Sequence, residues 1–596
     1  MSEQRYIEGT DIPRVPVDPI TLQVLGGEFK SVAQEMGMIL YRMSYSSIIR
    51  ESEDLGAGIC DTMCRQICES ENSPMHAGSV GGYIKGILTR LEGNIHEGDV
   101  IIHNDPHHGA SHAPDVQIVI PIFYEGTHIG YSAINAHLVD IGNSGAGVST
   151  TSRDAVSEAT VLYALKLYEN GKRNDQLWQM ILDNTRTPSM NANDIDALIA
   201  AAEHGKKRFL EVVEKYGLPV VFSAEEEWFE YTERILREQI SKAPDGVYYA
   251  EEFLDDDGID LDTRLKVACK IIIEGDHMTV DLSDSSPQVP TAVNCPFSGS
   301  TKPAINTVIH SVFLDAEEFG NFVPQNEGLE RPITFIVPEG NLFNPRYPAA
   351  TSARFNATNR LADTMLQALA QAVPRNVAAG CSGNLHYIVY SGYMEDQDEF
   401  WVYGEVNEGC YGGRPGKDGM DTVDCLIANT RNMPVEESEW HYPIRVERYE
   451  MRDDVPAAPG QWRGGKGIIR NTSFLSDGYI GCEGDGHYHI PKGLFGGMDG
   501  APARFTKNSG KHDEKAMISK PSSEFMKAGD SIQVETPCGG GYGDPLEREP
   551  ELVLEDILDG FAWFEQAERD YGVVIDQTAM TVDLSATQAL RAARKS

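Results

Sequence analysis

The start of the chain carries a long helical repeat of apolar positions. Asp18-Pro19 is a favourable helix start, because aspartate caps the first turn and proline fits its first position. Apolar side chains then recur every three or four residues, at Leu22, Leu25, Phe29, Val32, Met36, Ile39 and Met43. This spacing predicts a long amphipathic helix.

Beyond this helix the pattern changes repeatedly between strands and helices. Apolar runs predict buried strands at 100–102, 116–123 and 129–134. Helical spacing follows at 156–170, 175–185, 192–216 and 224–242. A hairpin is predicted from 265–273 and 277–282, which flank Glu274-Gly275-Asp276. The remaining pattern predicts a helix at 361–374, glycine-rich short strands at 378–540 and a closing amphipathic helix at 550–571.

These elements predict a multidomain protein of mixed α/β (α+β) class. The N-terminal half would be helical with a mixed sheet, the C-terminal half β-rich and glycine-rich, and a helix would close the chain. A length of 596 residues exceeds a single core. We expect an α/β region at 1–245, a mixed α/β region at 246–375, a β-rich region at 376–545 and a helical segment at 546–596.

Charge and cysteine content narrow the class of protein. A net charge of -41 repels nucleic acid and anionic membranes, and no apolar run is long enough for a membrane span. The N-terminal residues lack the pattern of a signal peptide, so the 10 cysteines predict reduced thiols in the cytoplasm. Cys60, Cys64 and Cys68 have a helical spacing without a CxxC pair, and we interpret them as ordinary half-buried residues.

The candidate chemistry is concentrated between residues 103 and 140, which hold six of the 16 histidines. His112, Asp115 and His137 offer two imidazoles and one carboxylate, the composition of an open metal site. Such a site can polarise a carbonyl group or hold an enolate. The alternative is a polar, hydrogen-bonded core.

Further residues are candidates for roles around this site. Asp140 could accept a hydrogen bond that fixes the tautomer of His137, or it could be a plain loop acid. His76, His107 and His108 could line the pocket, and His76 is included among the candidate catalytic residues. The alternative for each histidine is an ordinary hydrogen-bonded side chain.

Nucleotide-binding and hydrolase motifs are not found in the sequence. There is no GxxxxGK[ST] phosphate loop, no GxSxG elbow and no strand-GxGxxG-helix fingerprint. The glycine-rich segment 536–545 lacks a lysine that could meet phosphates, which favours a structural turn. We therefore expect no ATP site in this chain.

The chain resembles the hydantoinase B/oxoprolinase family over about 500 residues. The resemblance is carried by Asn104-Asp105-Pro106, His112-Ala113-Pro114-Asp115, Ala136-His137-Leu138-Val139-Asp140, Arg414-Pro415-Gly416-Lys417-Asp418-Gly419, Asn429-Thr430-Arg431-Asn432 and Gly493-Leu494-Phe495-Gly496-Gly497. It implies hydantoinase A-type partner subunits that bind ATP and Mg. Whether the complex also contains a small subunit is left open.

The resemblance also implies roles for individual residues. In the acetone carboxylases a Glu, a His, an Asp and a His hold a divalent metal, and Glu51, His112, Asp115 and His137 look like those positions. A salt bridge with Arg50 is the alternative for Glu51. A mixed nitrogen and oxygen shell suits manganese or zinc better than magnesium.

A charged turn gives a second candidate site. Arg414 and Lys417 on a glycine-rich loop could bind an anion such as carboxyphosphate, bicarbonate or an enol phosphate. Turn chemistry with solvated charges is the alternative.

The preferred activity is that of a hydantoinase B-type subunit in an ATP-dependent ketone carboxylase similar to acetophenone carboxylase. Its substrates would be a small ketone and bicarbonate. The first alternative is the corresponding subunit of an ATP-dependent hydantoinase or 5-oxoprolinase, which hydrolyses a cyclic amide. The second alternative is a non-catalytic scaffold subunit.

Overall fold

A computed structural model describes residues 6–315, 318–319, 323–381 and 386–595. Residues 1–5, which contribute to the prediction that no signal peptide is present, lie outside these ranges. The described residues form a mixed α/β protein with four larger sheets and one two-stranded sheet. This confirms the predicted fold class.

The N-terminal half is built on a seven-stranded sheet in the order β2-β1-β5-β4-β3-β6-β7. Its strands are β1 (Leu55–Cys60), β2 (Gln66–Glu69), β3 (Val100–His103), β4 (Asp115–Tyr124), β5 (Thr127–His137), β6 (Leu165–Glu169) and β7 (Lys172–Arg173). The predicted strands at 100–102, 116–123 and 129–134 are confirmed. Helices cover the central strands, which explains their nearly continuous apolar sequences.

The helices of this half are α1 (Pro19–Met43), α2 (Ser47–Arg50), α3 (Val80–Leu91), α4 (Asp175–Asp183), α5 (Pro188–Tyr216) and α6 (Leu218–Ile240). The predicted cap of α1 is confirmed, since the Asp18 carboxylate accepts hydrogen bonds from the backbone N–H groups of Ile20 and Thr21. The predicted helix at 156–170 is wrong. Its first part forms turns, and Leu165–Glu169 forms β6 because it pairs with the free edge of β3.

The middle of the chain forms a four-stranded sheet in the order β11-β10-β9-β8. Its elements are β8 (Gly246–Leu254), β9 (Leu265–Glu274), β10 (His277–Asp281), α7 (Lys302–Phe313), β11 (Ile333–Ile336) and α8 (Phe355–Ala370). The predicted hairpin of β9 and β10 is confirmed. The helix predicted at 361–374 begins earlier, at Phe355, and packs against β8 and β9.

The C-terminal half contains two further sheets, in the orders β13-β12-β16-β19 and β14-β15-β20-β17-β18. Their elements are β12 (His386–Met394), β13 (Glu399–Asn407), α9 (Val435–His441), β14 (Ile444–Met451), β15 (Ile468–Phe474), β16 (Gly478–Glu483), β17 (Arg504–Lys507), β18 (Lys515–Ala516), β19 (Glu524–Met526) and β20 (Ser531–Glu535). This confirms the β-rich prediction for the region.

The single closing helix predicted at 550–571 is wrong. The chain instead forms α10 (Pro550–Leu558), α11 (Phe564–Arg569), the short pair β21 (Ile575–Asp576) and β22 (Thr581–Val582), and α12 (Leu584–Lys595). The break lies at Gly560, whose φ of 81° is incompatible with a continuing right-handed helix.

One hydrophobic cluster runs through the sheets of the first two predicted regions and reaches the start of the third. The domain boundaries therefore stay a prediction.

Cys60, Cys64 and Cys68 lie on the hairpin of β1 and β2, not on a helix, and they are buried rather than half-buried. Across the described residues, no helix is both long and apolar enough to cross a membrane.

Candidate metal centre

The hairpin of β4 and β5 brings the three predicted ligands together at its open end. Asp115 is the first residue of β4 and lies opposite His137, the last residue of β5. His112 lies in the turn before β4, and its carbonyl accepts a hydrogen bond from the Asp115 N–H. All three side chains are buried.

The donor atoms of these side chains form a tight triangle. His112 Nε2 lies 3.0 Å from Asp115 Oδ1 and 3.1 Å from His137 Nδ1. The distance from His137 Nδ1 to Asp115 Oδ1 is 3.3 Å. Two ligands that are each ~2.1 Å from one ion, at angles between tetrahedral and octahedral, lie about 3.0–3.4 Å apart. The triangle therefore has the dimensions of one face of a coordination shell.

The hydrogen bonds of His112 determine which of its nitrogens carries the proton. Nδ1 lies 2.8 Å from the Ser352 carbonyl oxygen, so Nδ1–H donates to that oxygen. Burial, together with the positive charge of Arg354, lowers the pKa of His112 to about 4, so the ring is neutral at pH 7. Its Nε2 therefore presents a lone pair to the Asp115 carboxylate. Two acceptors at this distance repel each other unless a positive centre lies between them, either a metal ion or the proton of His137 Nδ1–H.

The surroundings keep Asp115 ionised and leave one imidazole nitrogen free. Asp115 Oδ2 lies 3.2 Å from Nη2 of Arg354 and also accepts a hydrogen bond from the Ser111 hydroxyl. His137 Nε2 is buried without a hydrogen-bond partner. If Nδ1 of His137 is a ligand atom, Nε2 carries the proton and can donate to a molecule in the site.

Asp54 and His76 extend the cluster on the side of β1. The Asn135 amide donates to His76 Nδ1 at 2.8 Å, so His76 Nε2–H donates to Asp54 Oδ1 at 3.2 Å. Asp54 Oδ2 lies 3.8 Å from His137 Nδ1. Ligand atoms of Asp54, His76 and Asp115 lie within 4.8 Å of one another. Burial opposes protonation of His76, but these carboxylates outweigh it and raise its pKa.

Glu51 lies outside this cluster. Its carboxylate accepts a hydrogen bond of 2.8 Å from Arg50 Nε, and it belongs to neither metal-type group among the described residues. The chain turns after α2, and Asp54, the last residue before β1, is the one whose carbonyl accepts from the His137 N–H. Asp54 was not among the residues that the sequence suggested for the site.

Asp140, Arg414 and Lys417 also lie apart from the centre. Asp140 pairs with Arg186 at 2.8 Å rather than with His137. Arg414 and Lys417 are exposed and face each other across a tight turn, with reciprocal backbone hydrogen bonds. Anion binding by this turn stays a prediction.

His107 and His108 are engaged elsewhere. His107 Nε2–H donates to the Ala349 carbonyl oxygen at 2.9 Å. His108 bonds to Asp105 at 2.8 Å, and its ring stacks on Tyr163. Neither residue lines the cavity at the metal-type triangle, whose lining is Ile48, Asp54, Met75, His112, His137, Val148, Arg354, Phe355, Tyr387, Val406, Thr430 and Glu483.

This cavity has a volume of about 30 Å³, and the C-terminal half forms its far wall. Tyr387 on β12 and Glu483 on β16 are direct neighbours in the sheet. Glu483 Oε1 accepts hydrogen bonds from the N–H groups of Phe355 and Asn356 at the start of α8, at 2.6 and 3.3 Å. Burial raises the pKa of Glu483 to about 7 and raises that of Tyr387. Neither residue was expected from the sequence.

A larger cavity of about 210 Å³ borders the other side of His76. Its charged lining residues are Glu69 and Glu71, and burial raises the pKa of Glu69 to about 7. The His76 imidazole lines this cavity and donates through Nε2–H to Asp54, which lines the smaller cavity at the triangle.

Comparisons with known proteins agree on one family. The family described as hydantoinase B/oxoprolinase matches residues 18–545. A proposed B-type subunit of a D-/L-hydantoinase from Pseudomonas sp. (strain NS671) is 47% identical over 595 residues, which are 98% of this chain and 99% of that protein.

Solved structures share the fold over nearly the whole chain. The ATP-dependent caprolactamase of Pseudomonas jessenii has a TM-score of 0.87 and 26% identity, covering 97% of this chain and 100% of that one. The nucleotide-free structure of acetone carboxylase also has a TM-score of 0.87, with 20% identity over 97% of this chain and 83% of that one. The protein thus belongs to the hydantoinase B/oxoprolinase family.

Proposed function

We propose that this chain is the subunit of an ATP-dependent, multi-subunit enzyme that opens a cyclic amide by hydrolysis at the His112–Asp115–His137 centre. The observation that carries the proposal is the neutral His112 imidazole, whose Nε2 lone pair faces a buried carboxylate oxygen at 3.0 Å. This arrangement suits a divalent cation. The relatives named hydantoinase and caprolactamase support the choice of a cyclic amide as substrate.

The donor set fits a divalent metal. His112 Nε2, His137 Nδ1 and Asp115 Oδ1 would hold it, and Asp54 Oδ2, which lies 3.8 Å from His137 Nδ1, stays free to accept a hydrogen bond from water. Two imidazoles favour manganese or zinc over magnesium. When bound, such an ion lowers the pKa of water and polarises a carbonyl group. The cavity of about 30 Å³ has room for a water beside these atoms.

The chain's own residues would manage the proton of the attacking water. Asp54 Oδ2 is its acceptor, because Oδ1 is already occupied by the N–H of His76. The hydrogen bond from His76 Nε2–H to Oδ1 holds the Asp54 carboxylate in place while Oδ2 takes up the proton. The far wall of Tyr387 and Glu483 encloses the site and limits access of bulk water.

ATP would bind a partner subunit of the hydantoinase A type. The sequence has no phosphate loop, and the names of the relatives refer to a B-type subunit and to an ATP-dependent enzyme. Part of the net charge of -41 can face a more basic partner. A small third subunit and a cytoplasmic location stay predictions.

Ketone carboxylation, the activity preferred in the sequence analysis, is the second candidate. The TM-score of 0.87 to acetone carboxylase favours it as an alternative, although 20% identity supports the fold alone. The same centre could hold an enolate for attack on carbon dioxide. A scaffold role is the third hypothesis, and the convergence of His112, Asp115 and His137 argues against it.

Two assays on the complex purified with its partners would decide between these functions. The first measures ATP-dependent ring opening of hydantoin and caprolactam, and the second measures ATP-dependent fixation of labelled bicarbonate onto acetone and acetophenone. We expect ring opening without fixation. Fixation without ring opening would replace the first proposal by the second, and neither activity in a metal-loaded complex would favour the scaffold.

A further inference from the structure

Three residues that line the small cavity each carry a buried nitrogen or oxygen atom without a hydrogen-bond partner. These groups are the Tyr387 hydroxyl, Arg354 Nε–H and His137 Nε2. Among the lining residues that the structure describes, these are the buried side-chain atoms left without a partner. His137 Nε2 belongs with the donors when Nδ1 of that ring serves as a ligand.

Buried donors without a partner indicate the chemistry of a ligand that could pair with them. A buried donor that has lost its water and gained no acceptor destabilises the folded state, so each group favours a molecule that supplies an acceptor. A ligand with acceptor oxygens alone would satisfy all three. The carboxylate in the same wall, Glu483, is held by two backbone N–H groups at the start of α8.

The position of Tyr387 is fixed by the sheet. Its ring stands edge-on to His137, with centroids 6.0 Å apart and an interplanar angle of 70°. Its hydroxyl lies over β13 at Gly404, where an added Cβ would come within 2.5 Å of the hydroxyl oxygen. Glycine at 404 therefore leaves the space that the tyrosine needs, and the phenol is held beside the centre by a rigid element.

We infer that Tyr387, Arg354 and His137 form an oxyanion pocket, with Tyr387 as the catalytic donor contributed by the C-terminal sheet. The inference rests on the proposed function. Water adds to the amide carbonyl carbon, its proton goes to Asp54, and the C=O π pair moves to the oxygen. The Tyr387 hydroxyl donates a hydrogen bond to that oxygen and keeps its own proton, since phenols have a pKa near ~10.

The test compares Tyr387→Phe with Tyr403→Phe in the full complex. Tyr403 lies on β13 of the same sheet, and its hydroxyl is already bonded to Glu405 at 3.0 Å, away from the cavity lining. Formate is the probe for a small oxyanion, and its affinity is measured by saturation-transfer NMR. Ring-opening kinetics and the Tm are measured on the same samples.

For Tyr387→Phe we expect formate binding about tenfold weaker, from the loss of one hydrogen bond to a charged group. We also expect kcat ~10²–10³-fold lower at nearly constant KM, the effect of removing one oxyanion donor. The Tm should not fall, because the lost hydroxyl had no partner. Tyr403→Phe should lower the Tm and leave formate affinity and kcat unchanged.

Gly404→Ala gives an independent variant, since its methyl group displaces the Tyr387 hydroxyl without altering Tyr387 itself. It should weaken formate binding to the same degree. Formate binding equal in wild type, Tyr387→Phe and Gly404→Ala, or no formate binding at all, would overturn the inference. A complex that opens no ring, yet binds formate more weakly after Tyr387→Phe, would refute the proposed hydrolysis and leave the oxyanion pocket standing.

Discussion

The two walls of the site differ in how their residues are distributed along the sequence. His112, Asp115 and His137 lie within 26 residues and meet because one hairpin places Asp115 opposite His137. Tyr387 and Glu483 are 96 positions apart and meet because β12 and β16 pair in a sheet of the other half. A local hairpin leaves a recognisable sequence motif, whereas long-range strand pairing does not. The ligand side was therefore predictable and the enclosing side was not.

The largest effect should come from the hairpin wall. His112→Ala removes the imidazole at the apex of the donor triangle, so we expect loss of bound metal and of ring opening to below detection. ATP hydrolysis by the partner should continue at least in part, because the proposed ATP site lies in another chain. Metal content is measured by elemental analysis, and activity by ring opening and phosphate release.

His108→Ala is the matched control for this change. It removes a histidine from the same sequence cluster that bonds to Asp105 and stacks on Tyr163, outside the cavity. It should keep wild-type metal content. Normal metal and normal ring opening in His112→Ala would show that the triangle is only a polar core.

The second prediction compares Asp54, which the structure places beside the donor triangle, with Glu51, which the sequence resemblance implied as a metal ligand. Asp54→Asn should reduce metal affinity by about 100-fold, the upper end of the effect of residues that support a metal centre without being ligands. Glu51→Gln should leave the affinity within twofold, because Glu51 pairs with Arg50 and lies outside both metal-type groups. Titration of the apo-protein with manganese measures both. The reverse ranking would restore Glu51 as the ligand.

These residues show how far sequence reasoning reaches in this protein. Asp18-Pro19 and the repeat to Met43 encode α1 locally, so that helix was predictable. Leu165–Glu169 forms a strand because it pairs with the edge of β3. This pairing is not predictable from the local sequence pattern. Likewise, Glu51 and Asp54 are both acids before β1, and the turn after α2 decides which one reaches His137.

The third prediction concerns the enclosing wall and uses pH. Burial raises the pKa of Glu483 from 4.5 to about 7, so between these values the folded state binds more protons than the unfolded state. Its contribution to stability therefore declines as pH rises through this window, by on the order of 3 kcal/mol in total. Glu483→Gln should remove this decline. Urea unfolding at pH 5 and pH 8 measures the difference between variant and wild type.

Glu158→Gln is the control, because Glu158 also has a pKa raised by burial to about 7 and accepts from the backbone N–H groups of Thr351 and Ser352. It should change the pH dependence of stability in the same way. Only Glu483→Gln should also alter ring opening, since Glu483 lines the cavity. An unchanged pH slope in Glu483→Gln would contradict the raised pKa.

The smallest effect should come from the residue that joins the two walls. Arg354 Nη2 lies 3.2 Å from both Asp115 Oδ2 and the Ser111 hydroxyl oxygen, and Arg354 immediately precedes α8, whose first N–H groups bind Glu483. Arg354→Gln removes the positive charge that orients the Asp115 carboxylate. We expect metal affinity to fall about 10–100-fold, the usual effect of losing a group that orients a ligand.

Arg186→Gln is the control for Arg354→Gln. Arg186 forms an equally close ion pair with Asp140, at 2.8 Å, and Asp140 was the residue that the sequence suggested as the support for His137. Loss of that pair should leave manganese affinity unchanged and lower only the Tm. If Arg186→Gln weakens manganese binding as much as Arg354→Gln does, the Arg186–Asp140 pair supports the centre as strongly as Arg354 does. If only Arg186→Gln weakens it, the residue that joins the two walls does not tune the ligands.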